Sequence, residues 1–225
     1  MTSNKLAVFD WNGTILADSH ITWRATSRCI EHVSGQRISR ARYHETMTFP
    51  LIDMYLANGC DEARVNETMD EQWTLFMEEY NQGARTCRTR PGVRALLSWL
   101  DQKGVQSIIL SNHVEHDIRS HLYRLRLADR FHHVFAQSPE NDSILYKTSK
   151  QARLQTYLET HGFAPESVVM FGDSTEEPEI AKALGLICIS VSGGAFSTPR
   201  LRAANPHHLV RKISDAIPIL ERHWR

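Results

Sequence analysis

The chain has 225 residues, 41% hydrophobic and 23% charged, enough for one sizeable core with a smaller subdomain and too apolar for a disordered segment. Its 26 basic side chains balance 26 acidic ones, so no net positive field favours nucleic acid, and a small-molecule partner fits better. The first apolar run is too short for a signal peptide and no stretch reaches a membrane span, so a cytoplasmic protein without membrane contact, monomer or homodimer, is expected.

Leu6, Ala7, Val8 and Phe9 form that first run, which stops at Asp10 with Asn12, Gly13 and Thr14 behind it. This is the pattern of a buried strand carrying an acid to the edge of a sheet. A helical insert follows. From Asp18, a candidate N-cap, Ile21, Ala25, Cys29 and Val33 recur every fourth residue until Ser34 and Gly35 end the pattern. A second helix is expected from Pro50 through Leu51, Met54 and Tyr55, and a third from Asp61 with Val65, Met69, Trp73, Phe76 and Tyr80 on one face. Residues 16–86 thus read as a small helical bundle.

Strands and helices then alternate. Pro91 lies near the N1 position of a helix with Val93, Leu96, Leu97 and Leu100 on its apolar face and Gly104 past its end, and the apolar run after it stops on Ser111. A helix over 114–125, a strand HVFAQ, a helix over 150–161, a strand ending on Asp173 and a strand before Ser192, Gly193 and Gly194 complete the pattern. Such alternation predicts an α/β fold with a doubly wound, mostly parallel sheet covered on both faces. Ligands of such sheets bind beyond the carboxyl ends of the strands, where Asp10, Ser111, Asp173 and the Ser-Gly-Gly turn should converge.

Two carboxylates facing each other there call for a cation between them. Asp10 and Asp173 with several waters suit Mg²⁺, which takes one or two carboxylates plus phosphate oxygens. With a hydroxyl from Ser111 and a lysine from the next helix the site is set to bind phosphate, and aspartate is a known nucleophile for phosphoryl groups. The cysteines Cys29, Cys60, Cys87 and Cys188 include no C-x-x-C pair, so neither a zinc site nor a disulfide framework is indicated, and free thiols are expected. His113, His116 and His121 lie close in sequence, His113 and His116 at a spacing that shares a helix face, but they accompany no acid of metal-site spacing and read as surface or partly buried residues. No P-loop or dinucleotide fingerprint occurs.

In this order DWNGT, IILSN and VVMFGDSTEE resemble the motifs of the haloacid dehalogenase superfamily, and the run from SKQARLQTYLETHGF to that acid is similar to the family's stretch after its third-motif lysine. The resemblance covers essentially the whole chain. It is to the phosphoglycolate-phosphatase-like members, with a helical C1-type cap after the first motif, and implies a Rossmann-like core over residues 1–15 and 87–225 with the cap over 16–86. It further implies a Mg²⁺-dependent phosphatase for a small phosphorylated metabolite. Asp10 would be nucleophile and metal ligand, the Asn12 carbonyl and Asp173 further ligands, and Ser111, Asn112 and Thr14 phosphate-site groups. Lys150, by its helix-start spacing, or Lys147 would be the phosphate-site lysine. Glu177 would hold the lysine or a metal-bound water, with Gly13 and Gly172 supporting the loops.

The family's second acid is replaced here by Asn12. An amide orients water but cannot take up and return a proton, which costs about 10²–10⁴-fold. The resemblance therefore implies slow turnover favouring good leaving groups, with Asp18, His20 or a cap residue as substitute bases, or deamidation of Asn12 as a source of the acid. The alternative is a phosphate-binding or regulatory protein on the same fold. Phosphonatases of the superfamily need a cap lysine, and no lysine occurs between Lys5 and Lys103; dehalogenases proper need no metal, which GDSTEE speaks against. The insert is arginine-rich instead, and Arg24, nearest the hinge, is the candidate clamp for a second substrate anion.

Overall fold

Leu6–Phe9 form β1, buried on both faces. In the computed structural model, which describes residues 4–137 and 144–225, β1 lies at the middle of a sheet and pairs in parallel with strands on either side. Its alternate side chains enter different clusters: Ala7 and Phe9 face one layer of helices, Leu6 and Val8 the other. That is why the run is apolar without interruption.

The chain then runs through α1 (Ser19–Ser34), α2 (Arg40–Thr46), α3 (Leu51–Ala57), α4 (Glu62–Glu67) and α5 (Met69–Ala84) before α6 (Val93–Gln102) and β2 (Gln106–Val114). After these come α7 (Glu115–Arg124), β3 (His133–Gln137), α8 (Lys150–His161), β4 (Val168–Gly172), α9 (Glu176–Leu184), β5 (Ile187–Val191), α10 (Thr198–Ala203), β6 (His208–Val210) and α11 (Ile217–His223). The strand order is β3-β2-β1-β4-β5-β6 with every pairing parallel. The order turns back at β1 and β4, the switch point of a doubly wound sheet.

The expected third helix is two helices. Thr68 breaks it, its hydroxyl donating to the Arg64 carbonyl at 2.8 Å and accepting from Gln72 at 2.9 Å, so Met69 and Trp73 stand half-exposed. Polar α2 escapes periodicity because it buries only Tyr43, and three-residue β6 is too short to leave a pattern. Pro91 precedes α6 rather than entering it: Arg90 N–H donates to the Ile15 carbonyl, and Gly92 sits at φ 92°. Strand β2 runs past Ser111 to Val114, with a register shift after Leu110, so His113 belongs to the strand and shares no helix face with His116. All four cysteines are buried free thiols. No helix among the described residues is long and apolar enough to cross a membrane.

Helices α1 and α5 pack against each other, and their roots, Ile21, Ala25, Tyr80 and Ala84, join the cluster of Phe9 and Trp11. Farther out, Ile30, Tyr43 and Met54 cluster with Phe196 and Leu201 from beyond β5. The helical segment is thereby seated over the carboxyl edge of the sheet from two sides.

Phe9 has no exposure, stacks on Phe171 at 4.7 Å between centroids and meets Phe131 edge-on at 6.0 Å. Phe9→Ala should cost about 3–5 kcal/mol of stability, read from urea unfolding midpoints. A loss below about 1 kcal/mol would place the sheet's main packing elsewhere.

Candidate active site

Asp10 leaves β1 and Asp173 leaves β4, neighbouring strands at the switch point, so sheet pairing alone brings together two acids 163 positions apart. Asp10 N–H donates to the Phe171 carbonyl at 2.9 Å and continues the ladder by one residue. Lys150, the first residue of α8, reaches this point and is buried. Its ammonium donates to Asp10 Oδ1 and Glu177 Oε1, both at 2.8 Å, and lies 3.2 Å from Glu176 Oε2. Lys147 is exposed, so Lys150 is the lysine of the site.

Asp173 is held by a different set of groups. The Thr14 hydroxyl donates to Oδ1 at 3.0 Å and the Ala195 N–H, next to the Ser-Gly-Gly turn, to Oδ2 at 2.5 Å. A Cβ at Gly13 or at Gly194 would overlap the Asp173 carboxyl group, and Gly13 also sits at φ 70°. These positions require glycine for close approach and, at Gly13, for conformation. Arg90 donates to the carbonyls of Gly13 and Ser192 at 2.7 and 2.6 Å and ties the two loops together. Thr14 is fully buried, spends its proton on Asp173 and does not line the cavity, so it positions the acid. Gly172 leaves room for the Glu177 side chain, whose Oε2 accepts from the Ser174 hydroxyl at 2.6 Å.

Burial, then the charges of Glu177 and Asp173, raises the Asp10 pKa against the pull of Lys150. Burial likewise pushes Asp173 up to about 6. Burial works against the Lys150 charge, but Asp10, Glu177 and Glu176 outweigh it and hold the ammonium well above its usual range. Burial also opposes the Glu177 charge, and Lys150 prevails, lowering it. One lysine thus serves a site containing Asp10, Asp173, Glu176 and Glu177. That surplus of buried negative charge fits a divalent cation between Asp10 and Asp173. Among the described residues no group of three or more His, Cys, Asp or Glu is placed as a ligand set.

Asn12 lines the same cavity as Asp10, Ser111, Asn112, Lys150 and Asp173. Its Nδ2 donates to Asp18 Oδ2 at 2.6 Å and to the Tyr80 hydroxyl at 2.8 Å. Tyr80 in turn donates to Asp18 Oδ2 at 2.7 Å, and Gly13 N–H to Asp18 Oδ1 at 2.8 Å. Asp18, buried and with its pKa raised by that burial, is therefore behind the amide and does not line the cavity. His20 is exposed. The Ser111 hydroxyl oxygen accepts from His113 N–H at 3.1 Å, and Asn112 donates to Glu176 at 3.0 Å.

The structure places Arg24, the candidate clamp, on the surface of the helical insert. It is half-exposed, pairs with Glu79 on α5 at 2.5 Å and does not line the cavity. Sequence reasoning missed Tyr80, Arg90 and the Ala195 N–H, none of which carries a motif, and gave no role to Glu176, although it lies in VVMFGDSTEE. Only the helix phase that puts Tyr80 on the inner face of α5 was a usable signal.

A family model described as haloacid dehalogenase-like hydrolase matches residues 7–191. A phosphoglycolate phosphatase of Pseudomonas putida is 26% identical over 169 residues, 75% of this chain and 61% of that protein. Another from Synechococcus elongatus is 33% identical over 127 residues, 56% of this chain and 57% of that one. The chain thus spans about three-fifths of the length of these relatives. In fold it resembles a haloacid dehalogenase-like family hydrolase from Streptococcus pneumoniae, with TM-score 0.76 and 19% identity over 98% of this chain and 100% of the other.

His113 also lines the cavity, packs on Tyr80 at 4.8 Å between centroids and has no hydrogen-bond partner at Nε2. Burial, assisted by His121, lowers its pKa from 6.5 to about 3. Between those values the unfolded chain binds a proton that the folded chain refuses, so His113 makes stability fall as pH is lowered, by at most about 1.4 kcal/mol per pH unit. The drop in unfolding free energy from pH 7 to pH 5 should be smaller in His113→Gln than in the parent. An equal drop would mean that His113 is protonated in the folded protein.

Proposed function

The chain belongs to the haloacid dehalogenase-like hydrolase family, and we propose that it is a Mg²⁺-dependent phosphatase that cleaves a small phosphorylated substrate through an aspartyl-phosphate on Asp10. The observation that carries this reading is the single buried lysine bonded at 2.8 Å to the acid at the tip of β1, with a second acid at the tip of β4. Asp10, Asp173 and the Asn12 carbonyl would hold the ion. When bound, it supplies positive charge that keeps Asp10 ionised and stabilises the phosphoryl oxygens.

Lys150 fixes Asp10 Oδ1 and leaves Oδ2 to attack phosphorus. Ser111 and Asn112 line the cavity as polar groups for the phosphoryl oxygens. Glu177 and Glu176 hold Lys150 from the far side, so the ammonium stays in place as charge moves off Asp10. Water then attacks the aspartyl-phosphate, releasing phosphate and restoring the carboxylate. Asn12 gives no acid or base help at either stage, since an amide does not exchange a proton on demand.

The test is Mg²⁺-dependent release of p-nitrophenol from p-nitrophenyl phosphate. The parent should turn over and stop with chelator, Asp10→Asn should be inactive, and Asn12→Asp should be faster by about 10²-fold or more. An inactive parent with activity only in Asn12→Asp would instead support a phosphate-binding protein on this fold. Undiminished activity in Asp10→Asn would overturn the proposed mechanism.

A further inference from the structure

We propose that this site selects phosphate esters of an apolar hydroxyl compound acidic enough to leave as its anion, an aryl phosphate, and discriminates against substrates carrying a second anion. The inference rests on the phosphatase reading and adds the substrate class to it. Two separate features converge on it, the walls of the cavity and the fixed direction of the Asn12 amide.

The strand ends give the cavity polar groups and one side of α1, with Ser19, Thr22 and Thr26, adds polar but uncharged ones, whereas Phe49, Leu51, Trp73 and Phe76 of the insert, with Phe196 from beyond β5, give it an apolar wall. The cavity volume is about 120 Å³. A second cavity of about 170 Å³ shares Leu51, Trp73, Phe76 and Ile144 with it, and its further lining includes Tyr55, Val65 and Met69. The same apolar side chains therefore face both the space beside the strand tips and a second space among the helices. Lys150 is the single lysine or arginine lining the main cavity among the described residues, and three carboxylates already claim it. Arginines of the insert that flank lining positions have other partners: Arg24 pairs with Glu79, Arg28 with Glu78 and Glu79, and Arg42 donates to Asn58 Oδ1 at 3.0 Å. A substrate carboxylate entering this space would lose water without gaining a counter-charge, which is costly. An aromatic ring would gain by burial against Trp73 and Phe76.

Both hydrogens of Asn12 Nδ2 are spent, on Asp18 and on Tyr80. Turning the amide over would set its oxygen against the Asp18 carboxyl group, which already receives Tyr80 and Gly13 N–H. The amide therefore keeps no donor for the cavity that Asn12 lines, and its remaining polar atom, Oδ1, is an acceptor. In the first step the Asp10 carboxylate forms an O–P bond while the ester O–P bond breaks, and that electron pair stays on the departing oxygen. With an acceptor and no donor from Asn12, the departing oxygen must carry its charge. A phenol, with a pKa of about 10 like that of tyrosine, does so far more readily than an aliphatic alcohol. The phenoxide takes its proton from solvent, and water cleaves the aspartyl-phosphate to release inorganic phosphate.

The experiment compares kcat/KM for substituted phenyl phosphates, an alkyl phosphate and phosphoglycolate in Mg²⁺, with the parent and with Trp73→Arg, a half-exposed position that tolerates exchange. Expected are phenyl phosphate above phosphoglycolate by about 10²-fold or more, the size of lost acid help, and a steep fall in rate as the leaving group becomes more basic. Trp73→Arg should narrow the preference by about tenfold. Phosphoglycolate turned over as well as phenyl phosphate would overturn the inference and leave the phosphatase reading intact. If no ester is hydrolysed, that reading fails, and calorimetric binding of the inert analogues benzylphosphonate and phosphonoacetate decides the class by itself. Tighter binding of benzylphosphonate supports the apolar subsite, and equal or weaker binding overturns it.

Discussion

The ammonium of Lys150 is the point on which this arrangement depends. A cation at the first residue of α8 is in the wrong place for the helix dipole, and burying it costs several kcal/mol before any partner is counted. Only carboxylates placed around it offset that cost, and they come from two elements: Asp10 from the end of β1, and Glu176 and Glu177 from the first turn of α9. The acids of α9 lie at a helix N-terminus, where negative charge is favoured. Sheet, α8 and α9 are thus tied to one another by one charge.

The balance around that lysine is uneven, and the unevenness shapes its surroundings. Asp173 is left to neutral donors, Thr14 and the Ala195 N–H, and to a cradle that only glycines at 13 and 194 leave open. Two buried acids with raised pKa values then face one cavity. Perturbed, buried acids of this kind gathered at one cavity mark it as the candidate functional site.

Asp18 joins this centre to the helices above it. It occupies the N-cap position of α1, yet its side chain makes no capping bond and instead turns to Gly13, Asn12 and Tyr80. Tyr80 belongs to α5, stacks on Phe76 at 5.6 Å and packs on His113. The amide that replaces the family's second acid is therefore oriented by the same helices that supply the apolar wall. The strand tips and the helices above them are thus physically one network.

The strands and the long helices were legible because burial imposes a period on them: β1 and β4 as unbroken apolar runs, α6 and α8 as amphipathic stretches with glycine after their ends. Asp10 and Asp173 were legible as acids at the ends of such runs, and Ser111 as a polar residue in one. By itself the sequence determined the parallel α/β sheet, the helical insert and the acids at the strand tips, since all three follow from local pattern and chain order. Only the tertiary structure decided that Lys150 and not Lys147 enters the site, that Arg24 is taken by Glu79, that Thr14 serves Asp173, and that Asn12 turns its donor away from the cavity. These are pairings between residues far apart in the chain, fixed by which side chains meet once the elements pack, and no period in a linear sequence records them.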